Sequence, residues 1–460
     1  MTIVGIISAI AAIVSLRYVS FGVCFLLATK CIVAIPMEYS AVSLGIGVIA
    51  GPDLVMLALF LRVMFGFITG KIPFKHVFPV VFLIIFISFS AVYAYVFDHH
   101  KLVAFYRTTI GIASYFGICL TMFLLTEKHR NRVIGFGLLC AIAAIFVQQY
   151  LIMTKNTSML IMFNPYFNNN REMAEILTNA ISNGEIPRIL PSGILLITMC
   201  SGYCLVKAMT STNIIKVVCY TGLYIICTLF LFTTGTRGFV LVSVLVLIFS
   251  LYSIRRVISL SRQIALLPII TLGVASLAIT VLNNKLFSTL VSRTLEWQKS
   301  GYHDAGLLGR WHQSMNAINY IISTPVGIGV TRPLNLPSTI KAGMWDVHGF
   351  LTVGLLGGIP AIFFLLLFLF KLYQSYKETA TETDVVACGA AVSYALTLTM
   401  LNFTSAFSSG ENLLAFCLFA GYILSKRFES EIERYKYQSE STTGAPSNTL
   451  RLDSNVVINA

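Results

Sequence analysis

Long apolar stretches separated by short polar connections dominate this sequence. A helix needs roughly 17–25 residues to cross a hydrocarbon core of about 30 Å. Beyond residue 70, the stretches that meet this length, or come close to it, are 77–97, 102–125, 133–153, 189–206, 214–233, 239–254, 264–282, 349–370, 385–401 and 412–425. Charged residues and prolines interrupt the first 70 residues, which hold two to four more spans. The pattern predicts an all-α, polytopic transmembrane helix bundle of about 12 spans, with 14 as the alternative.

Lysine and arginine residues gather in short connections that fall on one side of the membrane when the spans alternate. They are Lys71 with Lys75, Lys128-Arg130-Arg132, Lys207 with Lys216, Arg255-Arg256-Arg262, Lys371 with Lys377, and Lys426-Arg427. The positive-inside rule makes this side cytoplasmic. Both long loops, 154–188 and 283–347, then lie on the opposite side. After the last span, 426–460 runs into the polar stretch STTGAPSNTLRLDSN, which predicts a disordered cytoplasmic tail.

Composition changes the picture by excluding several classes of protein. Only 11% of the residues are charged and 57% are hydrophobic, so soluble enzymes and disulfide-rich secreted domains are poor matches. The net charge of +13 comes from the short connecting clusters and not from a basic face interleaved with aromatic residues, so no nucleic acid is expected as a partner. The ten cysteines all lie in apolar stretches and the histidines lack ligand spacing, which predicts no disulfide framework and no metal site.

The first candidate for chemistry is Arg237, in the segment Thr234-Gly235-Thr236-Arg237-Gly238 between two strongly apolar helices. An arginine at that place is costly unless it meets water, an anion or a lipid headgroup. The flanking glycines allow a sharp turn and a close approach of the backbone to a ligand. Binding of an anionic ligand and snorkelling to lipid phosphates are both open interpretations.

The second candidate is Arg310, in the large loop. One helical stripe is formed by Trp311, Met315, Ile318 and Ile322. Arg310 would lie in the first turn of that helix, where a cation is unfavourable unless an anion lies between it and the backbone N–H groups. The pattern indicates a bound phosphate, or a salt bridge to Asp304 or Glu296. The helix is predicted to end at Pro325, where Pro-Val-Gly-Ile-Gly forms a turn that returns the chain to the membrane.

The last two candidates stand directly before predicted spans. His348 precedes the span 349–370, where the helix dipole and partial burial both favour a neutral imidazole that can act as a base. A purely structural role for this histidine is the alternative. Arg188 lies between Pro187 and Pro191 at the outer end of another span, and it could equally anchor the chain at the membrane interface. Together, three arginines and one histidine at the outer mouth of a bundle suit an anionic, lipid-linked substrate.

The order of TGTRG, then GRWHQSMNAI with PVGIG, then VHGFLTVGLLGG resembles the O-antigen ligase and polysaccharide polymerase superfamily of bacterial envelopes. Arg237, Arg310 and His348 fall on positions of that family's motifs, and Arg188 falls where its members often carry an arginine. Two positions depart from the pattern. Trp311 follows Arg310 immediately, and Gly349 stands where the family has an asparagine.

The resemblance implies an inverting, metal-independent and cofactor-free glycosyltransferase of the bacterial inner membrane. Residues 1–425, with the periplasmic loops 154–188 and 283–347, would form the transmembrane catalytic bundle. The partners would be the lipid bilayer, a glycan donor on undecaprenyl diphosphate, a glycan acceptor and a chain-length regulator. His348 would be the catalytic base, and Arg237, Arg310 and Arg188 would bind the diphosphate. A polymerase of lipid-linked repeat units is the first hypothesis, a ligase to lipid A-core the second, and a flippase the third.

Overall fold

The structure is a computed structural model, which describes residues 3–32, 41–43, 48–97, 108–163, 174–175, 178–179, 181, 193–233, 237–258, 305–329, 349–401, 406–407 and 409–443. The predicted span 264–282 and most of both long loops lie outside these residues. So do Arg188 and His348. The backbone of Arg237 and Arg310 is described, but their side chains are not.

The described part of the chain is almost entirely helical, because apolar backbone in a bilayer must satisfy its hydrogen bonds within each segment. The helices are α1 (Ile3–Arg17), α2 (Val19–Leu27, continued by a π-turn over Ala28–Ile32), α3 (Gly51–Ile68), α4 (Phe74–Val96), α5 (Glu127–Met153), α6 (Thr157–Phe163), α7 (Ile194–Thr210), α8 (Ile214–Thr233), α9 (Arg237–Ile254), α10 (Ala305–Ser323), α11 (Gly349–Thr379), α12 (Thr383–Met400) and α13 (Gly410–Thr443). Two antiparallel three-residue strands, β1 (Ala41–Ser43) and β2 (Val48–Ala50), precede α3.

Six helices among the described residues are long and apolar enough to cross a membrane. They are Gly51–Ile68, Phe74–Val96, Glu127–Met153, Ile214–Leu231, Gly349–Thr379 and Thr383–Met400. Shorter apolar helices accompany them over Ile3–Arg17, Val19–Ile32, Ala113–Leu124, Ile194–Thr210 and Val242–Ile254. The prediction of a helical, membrane-embedded protein is confirmed, and the number of spans stays a prediction.

Ion pairs gather at one end of the bundle. Lys426 of α13 lies 2.9 Å from Glu127 at the start of α5 and 3.0 Å from Glu382 just before α12. Arg427 lies 3.2 Å from Glu378, near the end of α11. We call this the ion-pair end, defined by Glu127, Glu378, Glu382, Lys426 and Arg427.

Two further contacts at the ion-pair end show at which end of the bundle the other helices begin. Lys207, near the end of α7, lies 2.7 Å from Asp384 at the start of α12. Phe249, late in α9, packs with Tyr376, late in α11. Therefore α7, α9, α11 and α13 all begin at the opposite end of the bundle, which we call the loop end. Their alternation agrees with the predicted grouping of the basic connections on one side.

The predicted span 102–125 is not a regular α-helix over its described part. It forms a 3₁₀-turn over Ala113–Gly117, a short α-turn over Ile118–Thr121 and a second 3₁₀-turn over Met122–Leu124. A Cβ on Gly421 of α13 would lie 2.8 Å from the carbonyl oxygen of Cys119. Helix α13 thus packs directly against this backbone, a tertiary contact that hydropathy does not reveal.

The prediction that residues 426–460 are disordered is wrong for 426–443, because α13 continues to Thr443. The sequence alone does not show which residues pair with the charges of this segment. Arg130 of α5 is 1% exposed and bonds to Glu429, and Arg427 lies 3.1 Å from Glu431. Burial lowers the pKa of Lys426, but its hydrogen bonds to carboxylates of the ion-pair end outweigh that effect and raise the pKa.

Candidate functional site

Three helices that begin at the loop end, α7, α9 and α11, begin at or just after a candidate residue in the sequence. Arg237 is the first residue of α9. His348 immediately precedes Gly349, the first residue of α11, and Arg188 lies five positions before Gly193, which precedes α7. The described helices α7, α9 and α11 therefore begin at one end of the bundle, whereas Arg188 and His348 themselves lie outside the described residues.

Arg237 lies where a helix start favours an anion. The first backbone N–H groups of a helix have no partner within it, and the helix dipole places positive charge there. An arginine at this position is unfavourable unless an anion lies between its guanidinium and the helix start. The side chain of Arg237 lies outside the described residues, so the anion site at this position stays a prediction.

The prediction that Arg310 lies in the first turn of a helix is wrong. Helix α10 begins at Ala305, so Arg310 is its sixth residue and lies beyond the first turn. The predicted stripe is also displaced. Met315 and Ile322 are 40% and 67% exposed, whereas Ala317 and Ile321 are each 5% exposed. The helix turns a different face to the bundle because its contacts are made with α11.

Helix α10 packs against α11, and this contact places the Arg310 helix beside the helix that follows His348. The shared core consists of Ala317, Ile321, Ile328 and Leu355. As predicted, α10 ends just before Pro325, and a turn follows over Thr324–Gly329. Two of the three motif segments therefore belong to one packed unit, although the Arg310 side chain itself is not described.

Sequence reasoning missed a buried ionic cluster at the loop end. Lys30, in the π-turn after α2, lies 3.0 Å from Asp53, the third residue of α3. The hydroxyl of Tyr115 donates to the same carboxylate oxygen at 3.1 Å. The lysine ammonium also lies 5.8 Å from the centroid of the Tyr115 ring. We call Lys30, Asp53 and Tyr115 the loop-end triad.

The loop-end triad lies where several helices are broken or begin. Cys31 of the π-turn presents its carbonyl to Gly193, where a Cβ would lie 2.4 Å away. Gly410, the first residue of α13, lies against the Tyr115 ring, and a Cβ on Gly410 would lie 3.0 Å from a ring carbon. Irregular turns of this kind are frequent at functional sites in helical proteins. The signal in the sequence was the pair of isolated charges, Lys30 and Asp53, which an apolar stretch tolerates only with a partner.

Aromatic contacts connect the loop-end triad to the start of α11. Phe116, next to Tyr115, stacks on Phe407 with ring centroids 6.3 Å apart. Phe407 in turn packs on Phe350 at 5.6 Å. The triad is therefore connected through these rings to the first turn of α11, the helix that follows His348 in the sequence.

Among the residues that the structure describes, no group of three or more histidine, cysteine, aspartate or glutamate side chains could hold a metal ion. All ten cysteines are described, and none forms a disulfide.

Comparison with known proteins gives no independent identification. No protein-family model, no curated protein and no solved structure matches this chain.

Proposed function

We propose that this protein is an inverting glycosyltransferase that polymerises undecaprenyl-diphosphate-linked repeat units on the periplasmic face of the bacterial inner membrane. The observation that carries the proposal is the order of three motifs along the chain, centred on Arg237, Arg310 and His348. The placement of α9 and α11, which both begin at the loop end, supports it. In this proposal the ion-pair end faces the cytoplasm and the bundle has about 12 spans.

The proposed reaction transfers a glycan from diphosphate to a sugar hydroxyl. The acceptor oxygen attacks the anomeric carbon, whose bond to the phosphate oxygen breaks, and the bonding electrons leave with the diphosphate. The hydroxyl proton passes to His348, which acts as the general base. Attack from the side opposite the leaving group inverts the configuration at the anomeric carbon.

Arginines suit the leaving group of this reaction. Lipid diphosphate departs with additional negative charge, and a guanidinium can hold phosphate oxygens through two parallel hydrogen bonds. In a mouth with a low dielectric constant such preorganised donors stabilise the developing charge strongly. Arg237, at a helix start, is the best placed of the three, and Arg310 and Arg188 would complete the diphosphate site without a metal ion.

The loop-end triad fits an enzyme better than a transporter. A transporter of lipid-linked sugars is expected to carry ionisable residues near the bilayer midplane. Asp53 is instead the third residue of α3, so the pair with Lys30 lies near the end of the bundle. This placement supports chemistry at the membrane surface.

The alternative is a ligase that transfers the finished glycan to lipid A-core, and the two activities differ in what a deletion strain accumulates. Loss of a polymerase leaves single repeat units attached to an intact core. Loss of a ligase leaves lipid-linked polymer with no attachment to the core. Analysis of the surface glycan and of the lipid-linked pool in the same strain distinguishes them, and an unchanged glycan would contradict both. Accumulation of units on the cytoplasmic side would instead indicate a flippase.

A further inference from the structure

Helix α11 is interrupted in its first half. Gly358 has φ 71° and ψ −165°, far from helical values. Pro360 follows and has no N–H group to donate. In an unbroken helix, the carbonyls of Leu355 and Leu356 would accept hydrogen bonds from residues 359 and 360. At the interruption both carbonyls need other donors, since unsatisfied backbone groups are costly within a membrane.

The turn Thr324–Gly329, which follows α10, supplies these partners. Three backbone hydrogen bonds join the turn to the interruption, two donated by the turn and one accepted by it. The N–H of Ile328 donates to the carbonyl of Leu355 (2.7 Å), and the N–H of Gly329 donates to the carbonyl of Leu356 (3.2 Å). In the opposite direction, the N–H of Ile359 donates to the carbonyl of Pro325 (2.9 Å). The turn thus replaces the hydrogen bonds that α11 gives up.

Only glycines fit where the turn meets its neighbours. Gly327, Gly329 and Gly358 all have positive φ, at 85°, 63° and 71°. A Cβ on Gly358 would lie 2.0 Å from the carbonyl oxygen of Pro325, and one on Gly329 would lie 2.1 Å from that of Ser90 in α4. The turn is therefore wedged between α4 and α11.

The wedge lies well inside the bundle. Gly358 lies about 14 Å along α11 from Gly349 at 1.5 Å per residue, in a helix that is long and apolar enough to cross a membrane. Ser90, which is 1% exposed, also contacts the carbonyl of Val326. Irregular backbone is tolerated at such depth only when protein surrounds it, and the turn meets that condition.

We propose that the turn Thr324–Gly329 is a positioning element of the catalytic mouth, and that Gly327, Gly329 and Gly358 are positioning residues. This inference rests on the proposed function. The turn fixes α10, which carries Arg310, to the first turns of α11, which follow His348. Because a displacement of about 1 Å at a reacting centre can lower the rate about 100-fold, the hydrogen-bonded wedge sets the distance on which transfer depends.

The test is a variant that restores α11 to a continuous helix. Gly358→Ala alone meets the carbonyl of Pro325 and could simply prevent folding. Gly358→Ala combined with Pro360→Ala gives α11 the missing N–H and a residue that favours helix, so α11 satisfies its own carbonyls without the turn. The matched control is Gly222→Ala in α8, where a Cβ meets nothing within 4 Å.

We expect the double variant to reach the membrane at the normal level while its kcat for chain extension falls about 100-fold. KM for the lipid-linked donor should change less than kcat, because the altered contact displaces one of several proposed diphosphate ligands but shifts the reacting groups relative to one another. The control variant should keep both constants. A merely structural role predicts normal kcat once the protein is folded, and a folded double variant with full activity would overturn the inference.

A cross-linking measurement reports the wedge without reference to catalysis. The Cδ1 atoms of Ile321 in α10 and Ile362 in α11 lie 2.7 and 2.5 Å from where a Cβ on Gly354 would be. Ile321→Cys with Ile362→Cys should therefore cross-link through a short thiol-specific reagent, with the joined peptides identified by mass spectrometry. The cross-link should weaken strongly when Gly358→Ala and Pro360→Ala are added. An unchanged cross-link would contradict displacement of the turn. Failure of the proposed function is a different result, since the unmodified protein would then form no polymer.

Discussion

The ion pair of the loop-end triad allows a sharp energetic test, because Lys30 and Asp53 come from different helices in apolar surroundings. Their side chains are 18% and 8% exposed, with the ammonium and a carboxylate oxygen 3.0 Å apart. Removing one partner of a buried pair costs about 3–5 kcal/mol, whereas replacing both by apolar residues is often neutral. We expect Asp53→Leu and Lys30→Met each to lower the free energy of unfolding by about 3–5 kcal/mol. Lys30→Met with Asp53→Leu should recover most of that loss.

The assay is denaturant unfolding in detergent micelles, followed by intrinsic fluorescence and analysed as a double-mutant cycle. Tyr115→Phe removes one hydrogen bond to Asp53 and should cost about 1 kcal/mol or less, since such bonds contribute little in membrane proteins. The exposed Lys71→Met serves as the matched control, with an effect of about 0.5 kcal/mol at most. If the losses of the two single variants add in the double variant, Lys30 and Asp53 do not interact as the structure places them, and the reasoning is refuted.

Three further predictions concern the candidate site and the ion-pair end. His348→Ala should abolish chain extension while protein level and export of lipid-linked units stay normal, and full-length polymer on a glycan gel would remove His348 from the mechanism. Arg237→Ala and Arg310→Ala should abolish polymer formation too, with lysine a poor substitute because it lacks the fork geometry; normal polymer from the lysine variants would argue against bidentate binding. Arg130→Met removes the buried cation that bonds to Glu429 and leaves that carboxylate with the more distant Lys426, 3.8 Å away, so it should speed trypsin cleavage of the C-terminal helix relative to the unmodified protein; equal cleavage rates would contradict that anchoring.

Positions of helices were largely predictable because they depend on local properties. The predicted span 214–233 coincides with Ile214–Thr233, and the predicted span 77–97 overlaps Phe74–Val96 closely. Hydropathy decides which stretches enter a bilayer, and the bilayer then requires each stretch to satisfy its own backbone. The turn after Ser323 was also predictable, since proline and glycine act on the residues beside them.

Contacts between distant segments were not predictable, and they decide the candidate site. The sequence identified Arg310 but placed it in a first helical turn, whereas α10 begins at Ala305. It noted Lys30 and Asp53 only as interruptions of an apolar stretch and had no means of joining them, since each charge could have met many partners. It also assigned the segment after Arg427 to disorder, because the partners that stabilise that helix lie on other elements.

The sequence by itself determined the membrane class and the approximate helix positions, and it supplied the candidate residues for the proposed diphosphate site. Only the tertiary structure decided that the turn Thr324–Gly329 completes α11 and that α9 and α11 begin at the same end of the bundle. The physical reason is range. Burial and helix propensity act on neighbouring residues, whereas hydrogen bonds between segments and ion pairs depend on which helices pack together, and this is set by the whole chain at once.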